Sequence, residues 1–292
     1  MKISVHITLY LGSNQSKKLK DFKIVCNSFK SLSKSTMIFV HTNKKIKSND
    51  KKIRFIYHDL TNEDPYKLTW KCRPLMFEQR DKFDYFICSE DDTIFTKKNF
   101  LYWIKFKKLC NKKRLNLGFI STEKSNKDGK LWTTYQIYQL TNYLLIGKTK
   151  FAVLGNPYYA MWIYDKKEFK KFVKSKFWNL NNWRGLNSFT KLHTREKSAV
   201  GWHGLNMNRY IATVVPVIGK KIHPNSLIKH QSNKYVSERG KIHVSVNNLL
   251  SSNLKLFKPI KYSKIEILFN EIKFFIYWSL RFNFKNIKKR FL

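Results

Sequence analysis

Residues 84–92 read Asp84-Tyr85-Phe86-Ile87-Cys88-Ser89-Glu90-Asp91-Asp92, an apolar run that stops at three adjacent carboxylates. The run has the length and content of a buried strand. Its acids stand out because the chain carries 19 Asp and Glu against 58 Lys and Arg. Adjacent like charges beside a buried segment repel one another, and a bound divalent cation relieves that repulsion. Ligands of open α/β sheets gather beyond the carboxyl ends of strands, where this triplet falls. A solvated acidic turn, or the negative charge of a following helix N-terminus, is the bland alternative. The apolar lead-in and the basicity of the chain favour the cation.

Working outward, residues 3–10 alternate in the β-branched manner of a first strand and stop near Gly12, and 16–33 carry Leu19, Phe22, Val25 and Phe29 at helical spacing. Met37–His41 and Ile53–Tyr57 read as short strands. Residues 64–80 read as a helix that Pro74 should kink or split, leading into a strand at 83–88. This order predicts an α/β fold with a mixed, mostly parallel sheet flanked by helices. Beyond the acids, a helix is expected at Asn99–Leu109 and strands at Leu117–Ser121, Tyr135–Leu145 and 158–163, while 211–218 and 227–230 read as short apolar pieces punctuated by Pro216 and Pro224. A second helix should begin with Asp165 as N-cap, and 176–210 reads as irregular, site-forming chain.

At 292 residues the chain fits one domain of about residues 1–250, with halves near 1–120 and 121–250, followed by a distinct tail at 251–292. Its 42% hydrophobic and 16% aromatic content excludes global disorder. The net charge of +39 raises nucleic acid and anionic membranes as partners. The lysines are dispersed, however, and no familiar nucleic-acid motif is present, so nucleic acid is disfavoured. A basic nucleic-acid-binding protein or metal-dependent nuclease stays as the alternative reading, supported by charge and interleaved aromatics. The tail places Ile265, Leu268, Ile272, Phe275 and Ile276 beside Lys285 and Lys288–Arg290. That pattern suits an amphipathic helix on an anionic bilayer, and equally a helix packed on the core. Four scattered cysteines without metal-site spacing, a strand-like N-terminus and no apolar run of 18 residues point to a cytoplasmic chain, with the tail as its attachment to the inner membrane face.

The stretch 84–106, DYFICSEDDTIFTKKNFLYWIKF, resembles the metal-binding DXD region of GT-A fold glycosyltransferases, closest to members whose motif is Glu-Asp-Asp before a Phe-containing helix. Residues 156–173, NPYYAMWIYDKKEFKKFV, are similar to the strand and helix that floor the acceptor pocket in that family. The resemblance covers about residues 1–240 at the level of motifs. It implies a Rossmann-type GT-A fold and transfer of a sugar from a nucleotide-sugar, with UDP favoured, to a glycan or glycolipid hydroxyl. It further implies Asp92 as ligand to Mn²⁺ or Mg²⁺, Glu90 on the ribose side, and Tyr10 and Gly12 at the nucleotide. Late histidines often complete the metal site in the family, which selects His230, with His223 as the fallback.

Three assignments come from residue chemistry. Asp91 should point away from the metal toward a basic neighbour, supporting the nucleotide side. Arg73 is a candidate cation for a departing diphosphate, the alternative being a plain ion pair with Asp64 or Glu78. An inverting transfer needs a carboxylate to deprotonate the acceptor, and Glu196, in the irregular stretch, is the choice, with a surface ion pair or a helix-capping acid as its alternative; a retaining transfer needs no such base. One departure is plain: the Glu-Asp-Asp members set their base between tryptophans, whereas 178–183 contains no acid.

Overall fold

The computed structural model describes residues 1–12, 15–136, 139–180, 193–201, 212–232, 235–236, 244–250 and 258–259. The chain begins β1 (Lys2–Leu9), α1 (Gln15–Lys30), β2 (Ser35–Thr42), β3 (Ile53–Tyr57), a 3₁₀ turn (Pro65–Trp70), α2 (Arg73–Glu78) and β4 (Tyr85–Glu90). Next come β5 (Thr93–Ile94), α3 (Lys97–Lys112), β6 (Leu115–Leu117), β7 (Ile120–Lys124), β8 (Leu131–Thr133), β9 (Asn142–Ile146), β10 (Thr149–Val153), β11 (Met161–Asp165) and α4 (Lys166–Phe172). The remaining elements are α5 (Thr194–Val200), β12 (Ala212–Ile218), β13 (Lys221–Ile222), β14 (Leu227–His230) and β15 (Lys258–Pro259).

The fold is α/β with mixed sheets. The first sheet has the order β3-β2-β1-β4-β11, parallel except for β11, which runs antiparallel to β4. In β1, Ile3, Val5, Ile7 and Leu9 alternate onto one face and are fully buried there. They pack with Phe22, Val25, Cys26 and Phe29 of α1, and with Phe100 and Trp103 of α3. The opposite face is covered by a second core in which Met76, Phe86, Trp162, Phe169, Phe172 and Trp178 meet. Burial on both faces is what parallel strands require. Because β1 has β2 on one side and β4 on the other, the strand order reverses beside β1, and Thr8 lies opposite Glu90 there. Such a switch point opens a crevice at the strands' carboxyl ends.

A second sheet runs β13-β12-β10-β9-β15, with β6 beside β12, and a third runs β5-β14-β7-β8. The third sheet matters for the site. β14 lies antiparallel to β5, with His230 opposite Thr93, and parallel to β7. Its approach is fixed by α3, whose N-cap Thr96 and Asn99 form a capping box. The spare amide of Asn99 donates to the carbonyls of Asn225 (2.9 Å) and Leu227 (2.8 Å), just ahead of and at the start of β14.

The helix expected at 64–80 is split in the structure. Pro74 sits in the first turn of α2, where a missing amide costs nothing, and Asp64 caps the preceding 3₁₀ turn by accepting from the Tyr66 amide (2.9 Å). Asp165 caps α4 by accepting from the Glu168 amide (2.8 Å). The strand expected at Tyr135–Leu145 is realised only as β9. Gln136 instead brackets the backbone of Asn156 through both ends of its amide, which turns Tyr135 toward the acids. The tail, 251–292, lies outside the described residues apart from β15.

The second face of β1 and β2 carries a buried histidine ladder. His6 Nδ1 meets His41 Nε2 at 3.0 Å, and His41 Nδ1 meets His58 Nε2 at 2.9 Å. Ser4 and Gln79 close the inner end on His6 Nε2. Burial pulls His6 down to about 3, against the hydrogen bond of Gln79, and holds His41 well below and His58 below its ordinary value. An unfolded histidine takes up its proton near pH 6.5, whereas His6 stays neutral down to about 3 and His41 well below its ordinary value. Below that pH the unfolded chain binds more protons, so stability falls with acidification until His6 itself protonates near pH 3. His6 and His41, the two fully buried members, should each contribute about 1.4 kcal/mol of loss per pH unit. Urea unfolding at about pH 7.5 and about pH 5.5 should show a steeper loss for the native chain than for His41→Gln. Equal slopes would rule the ladder out as the cause.

Candidate functional site

β4 delivers the three carboxylates to the crevice, and the chain sends each to a different basic group. Glu90 accepts a 2.6 Å hydrogen bond from the Tyr158 hydroxyl and lies 3.8 Å from Arg195 Nε. Asp91 pairs with Lys18 of α1 at 2.9 Å. Asp92 faces His230 Nε2 at 3.2 Å. Their side chains are 12%, 15% and 29% exposed in that order, so Asp92 is the most open of the three.

The electrostatics follow from burial and from mutual repulsion. Burial pushes the Glu90 carboxyl up to about 7 against the pull of Arg195, and Asp92 adds to the rise. Burial and the charge of Asp92 push Asp91 up to about 6, with Lys18 opposing. For Asp92, burial acts upward too, but the hydrogen bond and charge of His230 outweigh it and hold the group below its ordinary value. Burial lowers His230, yet its bonds to Asp92 and Glu123 overcome that and carry it up to about 10.

His230 is held from behind as well. Its Nδ1 lies 2.7 Å from Glu123 Oε1 and 3.0 Å from the Ser232 hydroxyl. Glu123, near the end of β7, is fully buried, and its second oxygen accepts from the Val236 amide at 2.9 Å. Tyr235 and Tyr135 set their rings edge-on to the imidazole, with centroids at 5.5 and 6.5 Å. The backbone closes the same corner, since the Gln231 amide donates to the Asp92 carbonyl (2.8 Å) and the Glu90 amide to that of Ala160 (3.2 Å).

The residues chosen from sequence divide into two groups. Glu90, Asp91, Asp92 and His230 converge on the crevice. Tyr10 stands 40% exposed at the end of β1 with Gly12 just beyond it, and the Asn43 side chain grips the intervening Leu11 backbone (2.8 and 3.1 Å). Arg73 does not reach the crevice. It is 4% exposed and sits among Trp70, Trp162, Phe172 and Trp178, with ring centroids 4.5–5.4 Å from its guanidinium. α2 turns it inward, where cation–π contacts and the Ser198 carbonyl (3.1 Å) hold it. The carboxylate of Glu196 caps its own helix, α5, accepting from the His193 amide (2.9 Å), and it is the neighbouring Arg195 that comes to Glu90. His223 caps the 3₁₀ turn at Pro224–Ser226 and packs on Tyr102 and Phe106, so it is not among the acids' partners.

Glu123, Tyr158, Arg195 and Lys18 were not assigned from the sequence. Glu123 carried a usable signal: a carboxylate closing an apolar strand in an acid-poor chain is the same oddity as the triplet. Gly201 also supports the site. It ends α5 at φ 59°, and a Cβ there would lie 2.5 Å from the Tyr164 hydroxyl and 3.0 Å from Trp162.

The donor set bears on a metal. Among the described residues, no three His, Cys, Asp or Glu side chains form a ready metal cage. Asp92 Oδ1, however, is buried without a hydrogen-bond partner, and His230 Nε2 stands across from Oδ2 of the same carboxylate. One carboxylate and one imidazole fit a Mn²⁺ or Mg²⁺ ion whose remaining positions are filled by phosphate oxygens and water. A cavity of about 1140 Å³ lies elsewhere, between β2–β3 and α2, lined by Phe39, His41, His58, Leu75 and Phe83. The chemistry at the strand ends, rather than this volume, marks the candidate site.

No protein-family model and no curated protein matches the chain. Solved structures similar to it include the bifunctional IspDF from Campylobacter jejuni, at 14% identity over 60% of this chain and 44% of that one, with a TM-score of 0.32. Another is 4-diphosphocytidyl-2C-methyl-D-erythritol synthase from Anaerococcus prevotii DSM 20548, at 15% identity over 60% and 76%, with a TM-score of 0.30. The chain thus spans less than half of the first. Superposition this loose identifies neither a shared activity nor a shared site.

Tyr158→Phe removes the hydroxyl that satisfies Glu90 and leaves that carboxylate with Arg195 alone. The variant should lose about 1–3 kcal/mol of stability in urea unfolding at neutral pH. An unchanged midpoint would show that the 2.6 Å bond contributes nothing to the fold.

Proposed function

We propose that the chain is a metal-dependent glycosyltransferase of GT-A type. It moves a sugar from a nucleotide-sugar, UDP-linked by preference, to a hydroxyl of a glycan or lipid-linked saccharide in cell-surface polysaccharide synthesis. The observation that carries this reading is the unpartnered buried oxygen of Asp92. It lies at the carboxyl end of a parallel strand, beside the switch point of the sheet, facing a histidine from a distant strand.

Asp92 and His230 would hold Mn²⁺ or Mg²⁺, which when bound neutralises the charge of a departing diphosphate. Glu90, braced by Tyr158, offers a carboxyl on the ribose side. Asp91 does not ligand the ion; its ion pair with Lys18 ties the start of α1 to the triplet. Tyr10 and Gly12 border the nucleotide, on a loop pinned through Asn43. Arg195, 47% exposed beside Glu90, supplies the cation that was sought in Arg73. Glu196 does not enter as acceptor base, because its carboxylate is engaged in capping.

A thermal-shift panel of nucleoside diphosphates with and without Mn²⁺ tests the reading. UDP with Mn²⁺, at about one hundred times its dissociation constant, should stabilise the chain by about 2.7 kcal/mol, and neither alone should match it. Asp92→Ala should abolish the joint effect and the transfer. Full activity in that variant would sink the assignment, and salt-sensitive DNA binding with no UDP response would favour the nuclease reading.

The tail is proposed to hold the enzyme on anionic membrane near a lipid-linked acceptor. Full-length chain should sediment with vesicles containing about 30% phosphatidylserine and be released by salt, as expected for charge-driven attachment. Reversing Lys285, Lys288, Lys289 and Arg290 to Glu should abolish sedimentation. Undiminished binding would exclude the tail as anchor.

A further inference from the structure

Glu123 presents a problem that the fold alone does not resolve. Its side chain is fully buried on β7, where an ionised carboxylate is costly unless each oxygen is satisfied. Both oxygens are used, one on His230 Nδ1 (2.7 Å) and one on the Val236 amide (2.9 Å). A glutamine has the same shape but only one acceptor oxygen, so the second donor would meet its NH₂ group. The site therefore calls for two acceptors side by side, one of them given to an imidazole.

The geometry has a direct consequence for that imidazole. A carboxylate only accepts, so with no ion bound each ring nitrogen carries a proton toward its own carboxylate; a cation at Asp92 takes the place of the Nε2 proton, while Nδ1 keeps the one it shares with Glu123. The nitrogen left over is Nε2, the one that faces Asp92 at 3.2 Å. Edge contacts from Tyr235 and Tyr135 oppose rotation of the ring out of this setting. The register of β14 against β5 and β7 fixes the backbone beneath it. The imidazole thus stands between two carboxylates, and the second of them, Asp92, keeps a buried oxygen, Oδ1, without a hydrogen-bond partner.

We infer that Glu123 is a positioning residue: it holds His230 as the Nδ1–H tautomer and presents Nε2 to a divalent cation shared with Asp92. This rests on the reading of Asp92 and His230 as a metal site. Partners behind metal-bound histidines fix tautomer and orientation and strengthen the ligand, and their loss weakens metal binding about 10–100-fold. The same carboxylate holds the Val236 amide, so it also anchors the segment that places Tyr235 beside the imidazole.

The test uses the full-length chain, with Mn²⁺ as probe in the presence of UDP and free Mn²⁺ followed by electron paramagnetic resonance. Wild type should bind one ion, Asp92→Ala should bind none, and Glu123→Gln should bind about 10–100-fold more weakly. Glu123→Asp, which keeps two acceptors, should recover part of the loss. Glu123→Gln within twofold of wild type, alongside a dead Asp92→Ala, would overturn the role of Glu123 and leave the metal site standing. Absence of binding by wild type would overturn both. A second measurement needs no variant: nitrogen-15 spectra of the Mg²⁺–UDP complex should show His230 protonated at Nδ1. Protonation at Nε2 instead would refute the inference.

Discussion

Three carboxylates on consecutive residues cannot share one small space unless each is given its own positive partner. Here that requirement ties together elements far apart in the chain. Lys18 comes from α1, Arg195 from α5 and His230 from β14, and each meets one acid at the end of β4. A single turn of three residues is therefore the junction of the first sheet, the third sheet and the second aromatic core. The crevice is held by charge as well as by packing.

Much of the first sheet was legible because its signals are local. The alternation of residues 3–10, the helical spacing of 16–33, the break at Pro74 and the cap at Asp165 each act within a few residues. The triplet was legible for a different reason, as a scarce residue type concentrated at one point. What resisted reading was long-range. Arg73 is one of 58 basic residues, and nothing nearby in sequence reveals that four aromatic rings, three of them contributed from 162–178, will close around it. Glu196 and Arg195 are adjacent, and only the start of α5 decides which of them turns back to cap the helix and which reaches Glu90. Glu123 and His230 are 107 residues apart, joined by a strand pairing that no local pattern announces.

The high basic content takes on a more specific meaning in this light. Among the described residues most lysines are exposed or half-buried, but a few basic groups are buried and held by defined partners. Arg73 fills an aromatic cage, Lys107 pairs with Glu168 between α3 and α4 at 2.9 Å, and His230 lies between two carboxylates. Buried charges of this kind are poor sources of net stability, but they discriminate strongly against misplaced neighbours.

The outer strand of the first sheet carries a consequence for biosynthesis. β11 pairs antiparallel with β4 in the register Met161 to Ser89 through Asp165 to Tyr85, so 72 to 80 residues separate the partners. As the chain leaves the ribosome, β1 to β4 can assemble while the far edge of β4 stays open. That edge displays Tyr85, Phe86, Ile87 and Cys88, an apolar template for unwanted strand addition. Closing a loop of this length before its contacts repay the entropy also slows folding. The nascent protein thus passes through a window in which its most hydrophobic edge is shielded only by speed of synthesis or by a chaperone. Arrival of Trp162 and its aromatic neighbours ends that exposure and begins the second core, which Ala199 and Val200 of α5 join later.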